Sequence, residues 1–332
     1  HEAELMPQTL LSVSNLKVSF KTDDAYFIAV DNVSFDIHHG EGVGLVGESG
    51  CGKSVSALSL LRLIPSPPGN IEKGRILFKG NDLLTAGIET VRKIRGKEIS
   101  MIFQEPLSAL SPLQRISQQM VETIQIHQDM PKSRARQMSL EWLGKVRIPD
   151  AVEKMHAYPY QLSGGMQQRI MIAMALMMNP ELLIADEPTT ALDVTIQAQV
   201  FQLIREMKAE HTSILLITHD MGVVWEMCDR VLVMYASRIV EEGKTADIFS
   251  APSHPYTYSL LKSIPTLSDG KGHRLAVIPG SVPSPENYPS GCRFRDRCPF
   301  AFEKCGTEMP ELVPVSDSHR AACFIAGRFG SS

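Results

Sequence analysis

The chain has 332 residues, of which 43% are hydrophobic and 21% are charged, as in an ordinary globular protein. Its 33 Lys and Arg residues stand against 37 Asp and Glu residues, and this balance argues against a polycation built to bind nucleic acid. No apolar run approaches the roughly 18 residues that a membrane-spanning helix needs. The acidic start of the sequence is unlike a secretory signal, so we expect a cytoplasmic protein.

Two stretches near the N-terminus alternate apolar and polar residues and predict β-strands. The first covers residues 10–20, and the second runs from Tyr26 to Ile37. Phe20 ends the first stretch directly before a polar turn, where its ring could stack on a nucleobase, although an aromatic residue in a strand usually packs in the core. Residues 71–80 predict a further hairpin, so this part of the chain should contain an antiparallel sheet.

A glycine-rich segment, residues 47–54, fits the pattern G-x-x-x-x-G-K-[ST] and is called the phosphate loop below. A buried-strand sequence precedes it and a helical sequence follows it, as the pattern requires. Glycines let backbone N–H groups surround a polyphosphate, while the lysine reaches the phosphates and the serine reaches Mg²⁺. A thiol at a helix start, here Cys51, could have a lowered pKa, but we expect no catalytic part for it. The predicted ATP-binding residues here are Gly47, Ser49, Gly50, Cys51, Gly52, Lys53, Ser54 and Val55.

A short apolar strand, residues 99–103, is followed by Gln104 and then by a proline. An active-site side chain could project there, or a loop could simply begin. Residues 108–155 then show apolar side chains at helical spacing, punctuated by prolines, and predict a helical insertion between two parts of an α/β core. The methionine-rich stripe in this insertion is better explained by packing than by chemistry.

A second glycine-containing segment opens a helix. Residues 162–169, called the signature segment below, read Leu-Ser-Gly-Gly-Met-Gln-Gln-Arg. Ser163 suits the N-cap position, and Gly164 and Gly165 leave backbone N–H groups bare at the helix start. The segment therefore predicts a second anion-binding site in the same chain.

Two further apolar strands end in polar residues. Asp186 and Glu187 follow one of them, and His219 follows the other. Asp186 suits Mg²⁺ binding, Glu187 could deprotonate an attacking water, and His219 could donate to a γ-phosphate. A helix cap would explain either acid alone but explains both together poorly. Open α/β sheets bind ligands at the carboxyl ends of their strands, which is where these residues fall.

Together these motifs make the chain similar to the nucleotide-binding subunits of ABC transporters, over essentially its whole length. The signature segment is the most specific element of this resemblance. The resemblance implies an α/β fold, namely a phosphate-loop NTPase core with a RecA-like parallel sheet, an antiparallel β subdomain and a helical subdomain. It implies a core at residues 8–104 and 160–250, with the helical subdomain at residues 105–159.

The resemblance also implies a role for each motif. Phe20 would stack on adenine, Gln104 would sense the γ-phosphate and Mg²⁺, and His219 would be the switch histidine. Asp186 would be the Walker B acid, and Glu187 would be the general base. Further positions carried over are Ser54 as a Mg²⁺ ligand together with Gln104 and Asp186, and Asp193 at the end of the D-loop, residues 189–193.

In ABC transporters two ATPase subunits pair head to tail, so that each ATP lies between one phosphate loop and the partner's Ser163 to Gly165. ATP then favours the closed dimer, and hydrolysis releases it. The implied partners are a second ABC ATPase subunit (a homologous chain or a second copy), two transmembrane permease subunits and an extracytoplasmic peptide-binding protein, with no nucleic acid. The resemblance thus implies a peripheral protein at the cytoplasmic face of the cell (inner) membrane.

The C-terminal stretch, residues 251–330, is similar to the tail of oligopeptide and dipeptide importer ATPases. In that group four cysteines are associated with a [4Fe–4S] cluster, which implies a small cysteine-rich metal-cluster domain here. Four thiolates suit such a cluster, and the neighbouring arginines at 293, 295 and 297 would offset its charge. The spacing fits no zinc ribbon, but zinc and free or oxidised thiols stay open. His319 could replace a ligand, although we expect it at the surface. The four cysteines are Cys292, Cys298, Cys305 and Cys323.

The function expected from these features is ATP-driven uptake of dipeptides or oligopeptides by an ABC importer. Relatives with much the same tail import nickel or glutathione, so those cargoes stay open. A redox-sensing regulatory ATPase that uses the cysteines is an alternative of a different class. A soluble factor acting on DNA or ribosomes would usually have two cassettes or a long coiled-coil insertion, whereas this chain has one cassette and a modest insertion. A phosphotransferase would need an acceptor site and would have no use for the signature segment. Both functions are therefore disfavoured.

Overall fold

The computed structural model describes residues 8–23, 25–189, 192–263 and 278–328. Its strands are β1 (Thr9–Lys21), β2 (Tyr26–His38), β3 (Gly42–Val46), β4 (Gly69–Phe78), β5 (Asn81–Asp82), β6 (Ile99–Ile102), β7 (Leu182–Asp186), β8 (Ser213–Ile217), β9 (Arg230–Tyr235), β10 (Arg238–Lys244), β11 (Val313–Ser316) and β12 (His319–Ala321). Its α-helices are α1 (Lys53–Leu60), α2 (Ile88–Ile94), α3 (Ile116–His127), α4 (Lys132–Lys145), α5 (Ala151–Lys154), α6 (Gly164–Leu176), α7 (Val194–Ala209), α8 (Met221–Met227), α9 (Thr245–Ser250), α10 (Pro255–Lys262) and α11 (Glu303–Thr307).

Two predicted segments lie partly outside the described residues. The described residues leave out residues 190 and 191 of the predicted D-loop. They also leave out residues 264–277 and 329–330 of the C-terminal stretch. The domain boundaries predicted above stay predictions.

The described chain divides into two compact units. The first contains His38–Glu41 and Ala86–Leu216, and the second contains Thr9–Ile37, Gly42–Thr85 and the residues from Ile217 onwards. Each unit is described by itself below.

The first unit contains parallel strands made of buried residues. β6 and β7 pair in parallel, with Ile102 opposite Ala185, and β8 follows β7 in the strand order. All residues of these three strands are buried, as expected of strands covered on both faces. Because β6 and β7 are parallel, their carboxyl ends lie at the same edge, and the residues that follow them come close together.

Helices α3, α4 and α5 lie in the stretch where the sequence predicts a helical insertion. Ile116, Met120 and Ile124 are buried at helical spacing in α3, and Trp142 is buried in α4. α3 packs against α4, and α4 packs against α6. The packing role predicted for the methionine stripe is therefore confirmed at Met120. Among the described helices, none is both long and apolar enough to cross a membrane.

The second unit contains an antiparallel sheet with the strand order β2-β1-β4-β5. β1 pairs antiparallel with β4, and β4 pairs antiparallel with β5. This arrangement confirms the antiparallel sheet predicted from the alternating N-terminal stretches.

A second set of strands in this unit has the order β11-β12-β10-β9-β3. β3 runs parallel to β9, whereas β9, β10, β12 and β11 pair antiparallel in turn. β12 comes from the C-terminal stretch, so this stretch takes part in the sheet of this unit, and the described residues do not support the small cysteine-rich metal-cluster domain that was predicted. The stretch joins the unit because β12 shares main-chain hydrogen bonds with β10, and because buried Phe294 packs against Tyr235 of β9.

Candidate nucleotide-binding site

The phosphate loop connects β3 to α1 in the second unit. All residues of β3 are buried, and α1 begins at Lys53 with Gly52 as its N-cap. The φ angles of Gly47, Gly50 and Gly52 are 152°, 80° and 105°, a range that L side chains rarely adopt. The loop thus has the backbone that the glycine pattern predicts, followed by the positive end of a helix dipole.

Two of these glycines are also required by close backbone contacts. A Cβ atom on Gly47 would lie 2.1 Å from the carbonyl oxygen of Met234, and one on Gly52 would lie 2.3 Å from that of Ala29. Around Gly50 a Cβ atom would meet nothing within 4 Å. The need for glycine is therefore steric and conformational at positions 47 and 52, and conformational alone at position 50.

Lys53 is buried, and its ammonium group is bound by the loop's own backbone. Nζ donates to the carbonyl oxygens of Gly47 at 2.7 Å and Glu48 at 3.0 Å. These oxygens hold the positive charge inside the loop, where phosphate oxygens of a nucleotide would compete for it. Burial raises the pKa of the neighbouring Cys51 thiol, and Lys53 offsets only part of this effect. The lowered thiol pKa considered from the sequence is therefore wrong, because the thiol is buried.

In the first unit, Gln104 and Asp186 lie at the carboxyl ends of neighbouring strands. Asp186 is the last residue of β7 and is buried, and Gln104 follows the end of β6. Glu187 has a φ of 45°, in the left-handed region that a residue with a long side chain seldom occupies. Such backbone outliers concentrate at functional sites. The structure thus brings Gln104 and the two acids to one edge of the strands, and their roles stay predictions.

The helix of the signature segment begins as its N-cap residue predicts. The Ser163 hydroxyl accepts a hydrogen bond from the N–H of Met166 at 3.3 Å, and α6 starts at Gly164. The side chain of Gln168 is buried in α6 and donates to the carbonyl oxygen of Pro188 at 2.6 Å. Gln168 therefore fixes the chain directly after the two acids, a contact that sequence reasoning missed because glutamines are usually exposed.

The structure also places three other residues predicted at the site, and their roles stay predictions. Phe20 lies near the end of β1, and its ring stacks on that of Phe27 with centroids 5.6 Å apart. Asp193 caps α7, because its carboxylate accepts the N–H of Ile196 at 3.0 Å. His219 is exposed and lies shortly after β8.

The four cysteines predicted as cluster ligands surround one small apolar cavity in the second unit. Its volume is about 20 Å³, which is room for about one water molecule. Burial raises the pKa of Cys292 and Cys323 to about 11, so both thiols are protonated at neutral pH. Among the residues that the structure describes, no group of His, Cys, Asp or Glu is arranged to hold a metal ion. The described residues therefore show no ready-made metal site, and the predicted [4Fe–4S] cluster stays a prediction.

Two expectations for side chains near these cysteines are wrong. His319 is buried rather than at the surface, with Nε2 2.7 Å from a carboxylate oxygen of Glu241. Arg293 does not serve as a spare positive charge, since it forms an ion pair with Asp31 at 2.6 Å. Arg297 likewise forms an ion pair, with Glu48 of the phosphate loop at 2.7 Å. Polar partners far away in the sequence explain both differences.

Comparisons with known proteins agree with these motifs. The family model "ABC transporter" matches residues 30–190, and the model "Oligopeptide/dipeptide transporter, C-terminal region" matches residues 240–305. The oligopeptide transport ATP-binding protein AppD of Bacillus subtilis is 50% identical over 318 residues, which are 96% of this chain and 97% of that protein. A probable peptide ABC transporter ATP-binding protein of Sinorhizobium fredii is 48% identical over 316 residues, covering 95% of this chain and 94% of that protein.

A solved structure of an ATP-binding cassette is similar to about 71% of this chain. It is the dimeric structure of a post-hydrolysis state of an ATP-binding cassette bound to ADP and Pi. The TM-score is 0.64 at 26% identity, and the match covers 71% of this chain and 98% of that one.

Proposed function

The chain belongs to the ATP-binding proteins of the ABC transporter family, and we propose that it is the ATP-hydrolysing subunit of an importer for dipeptides or oligopeptides. One observation carries the proposal: the chain contains both a phosphate loop before α1 and a second glycine-rich helix start, capped by Ser163. A protein that used a single nucleotide site within one subunit would have no use for the second. The peptide cargo is supported by the C-terminal family match and by the peptide transport named for the relatives.

The start of α6 at the signature segment would bind ATP if two ATPase subunits pair head to tail. ATP bound by the phosphate loop of one subunit would then meet residues Ser163 to Gly165 of the other. Because such an ATP contacts both subunits, it stabilises the closed dimer over the open one. Hydrolysis removes the γ-phosphate and with it the preference for closure.

The hydrolytic roles that we propose follow the family motifs. Lys53 and the loop N–H groups bind the phosphates, and Glu187 takes a proton from the attacking water. Gln104 and His219 contact the γ-phosphate, and Phe20 stacks on the adenine. Carboxylate, amide and hydroxyl oxygens are donors that Mg²⁺ prefers, and the bound ion would neutralise phosphate charge. The residues proposed to hold it are Ser54, Gln104 and Asp186.

Uptake of a cargo requires more than the ATPase subunit. We propose a second ATPase subunit, two membrane-embedded permease subunits and an extracytoplasmic peptide-binding protein as its partners. The permease would hold the chain at the cytoplasmic face of the membrane. The family matches support this assembly, since both describe transporter components.

Cells of the source organism that lack this chain should lose uptake of a radiolabelled dipeptide or oligopeptide, because the permease would have no ATPase to close it. Reintroducing the wild-type chain should restore uptake, and the permease should co-purify with a tagged copy. Labelled nickel and labelled glutathione, measured in the same cells, provide the comparison. Unchanged peptide uptake with loss of either of these would contradict the peptide cargo.

For the cysteines of the C-terminal stretch we propose binding of a [4Fe–4S] cluster, with the cavity between them opening to receive it. Support comes from the four thiols that line one cavity. Protein purified without oxygen should be brown and contain about four iron atoms per chain, and Cys298→Ser should lower that content. Cys228→Ser is the matched control, because Cys228 is buried elsewhere and does not line the cavity. A colourless chain containing zinc would overturn this proposal.

A further inference from the structure

Two residues of the C-terminal stretch, Arg297 and Tyr256, form hydrogen bonds to Glu48 of the phosphate loop. We propose that Arg297 and Tyr256 are positioning residues, which hold Glu48 and so set the affinity of the loop for ATP. This inference rests on the proposed function in one respect, namely that the loop binds a nucleotide. It assigns to the C-terminal stretch a direct effect on nucleotide binding.

The contact between Arg297 and Glu48 is a bidentate ion pair. Nη1 and Nη2 of Arg297 donate to the two carboxylate oxygens of Glu48 at 2.7 and 3.0 Å. Nε of Arg297 donates to the carbonyl oxygen of Pro279 at 2.8 Å. The side chain of Arg297 is 6% exposed and that of Glu48 is 31% exposed, so water competes little with the arginine. Bidentate pairs of this kind fix the orientation of both groups, and not only their separation.

The backbone of Glu48 is held from both sides as well. Its N–H donates to the hydroxyl of Tyr256 at 2.9 Å, and its carbonyl oxygen accepts from Lys53 at 3.0 Å. The preceding residue is Gly47, whose backbone could otherwise take many conformations. Three partners therefore determine the orientation of the peptide groups around Glu48, and one of these partners is the lysine expected to reach the phosphates.

Tyr256 and Arg297, which together anchor Glu48, are themselves held in a packed environment. Tyr256 is fully buried near the start of α10, and its ring packs against Tyr235 and Phe294 at centroid distances of 4.7 and 5.5 Å. Burial lowers the pKa of Arg297, but hydrogen bonds to Glu48 and Tyr235 more than compensate, so the pKa is raised and the charge is kept. The anchor is thus a packed aromatic cluster with a permanent positive charge at its edge.

A rigid anchor affects binding because a glycine-rich loop has much conformational freedom to lose. If the loop became ordered only on ATP binding, the conformational entropy lost would make the free energy of binding less favourable and so weaken the affinity. The contacts of Glu48 order the loop beforehand. Without them, we expect weaker nucleotide binding, and we expect the chemical step to change less than the affinity.

The test is binding of the non-hydrolysable analogue AMP-PNP to the full chain by calorimetry, together with thermal unfolding in the absence of nucleotide. Arg297→Gln should weaken AMP-PNP binding about ten-fold, a typical coupling between two sites. Glu48→Gln should have a similar effect. The double variant should bind no more weakly than either single variant, because both changes remove the same interaction. Arg297→Lys, which keeps the charge but loses the bidentate geometry, should fall in between.

Arg320→Gln is the matched control. Arg320 also belongs to the C-terminal stretch and pairs with Glu242 at 2.8 Å, which ties the stretch to β10 and not to the phosphate loop. It should leave AMP-PNP affinity at the wild-type value even if it lowers the melting temperature. Equal weakening by Arg320→Gln, or wild-type affinity in folded Arg297→Gln, would overturn the proposal.

Two further outcomes distinguish failure of the positioning role from misfolding of a variant and from failure of the proposed ATPase function. If Arg297→Gln does not fold, Glu48→Gln decides, because Glu48 is the more exposed partner and the effect on affinity is expected from either side. If the wild-type chain itself fails to bind AMP-PNP, the proposed ATPase function fails as a whole. Wild-type binding with unaffected Arg297 and Glu48 variants removes only the positioning role.

Discussion

Glu187→Gln should abolish ATP turnover while leaving ATP binding intact. Glutamine has the shape of glutamate but cannot accept a proton from the attacking water, and a lost general base typically slows catalysis by about 100- to 10,000-fold. Because hydrolysis is proposed to release the closed dimer, the variant should also accumulate as an ATP-bound dimer. Phosphate release measures the first effect, and size-exclusion chromatography with and without ATP measures the second.

The control for this variant is Glu206→Gln, which makes the same chemical change on α7, where the Glu206 carboxylate accepts from Gln202 at 3.1 Å. It should hydrolyse ATP at the wild-type rate. Undiminished hydrolysis by Glu187→Gln would show that another group activates the water. The left-handed backbone of Glu187 would then need a structural explanation.

Lys53→Ala should remove nucleotide binding, with an affinity loss of more than about 100-fold. The estimate follows from two charge-assisted hydrogen bonds to phosphate at about 1.5–3 kcal/mol each. The loop should remain folded but less rigid, because the carbonyl groups of Gly47 and Glu48 lose their shared donor. Titration with a fluorescent ATP analogue measures the affinity, and circular dichroism checks the fold.

Lys73→Ala is the matched control, since Lys73 is an exposed lysine on β4. It removes the same charge from the chain and should bind the analogue like the wild type. If Lys53→Ala retained wild-type affinity, the phosphate loop would not be the nucleotide site.

The features that could be predicted from the sequence are local ones. The phosphate loop is specified by its glycines, and the start of α6 is specified by Ser163, because each depends on residues within one turn or loop. The strand that ends at Asp186 could be predicted because a short apolar run followed by acids is typical of a buried strand leading to a site.

The features that could not be predicted depend on contacts between distant parts of the chain. Glu48 and Arg297 lie 249 positions apart, and no sequence pattern around either residue predicts that the two form an ion pair. His319 looked like a surface residue because the sequence does not reveal the buried carboxylate of Glu241 beside it. The pKa of Cys51 followed the same pattern, since burial by the surrounding fold outweighs the helix start that the sequence does reveal.

The two carbonyl groups that hold the Lys53 ammonium have a consequence for which ligands the loop accepts. An ammonium that already has two oxygen partners gains little from a further neutral acceptor. A ligand profits from Lys53 only by offering more than a carbonyl dipole, and a formally charged phosphate oxygen does so. We therefore expect the loop to favour ligands with a formally charged phosphate oxygen over neutral polar molecules, without any steric barrier between the two.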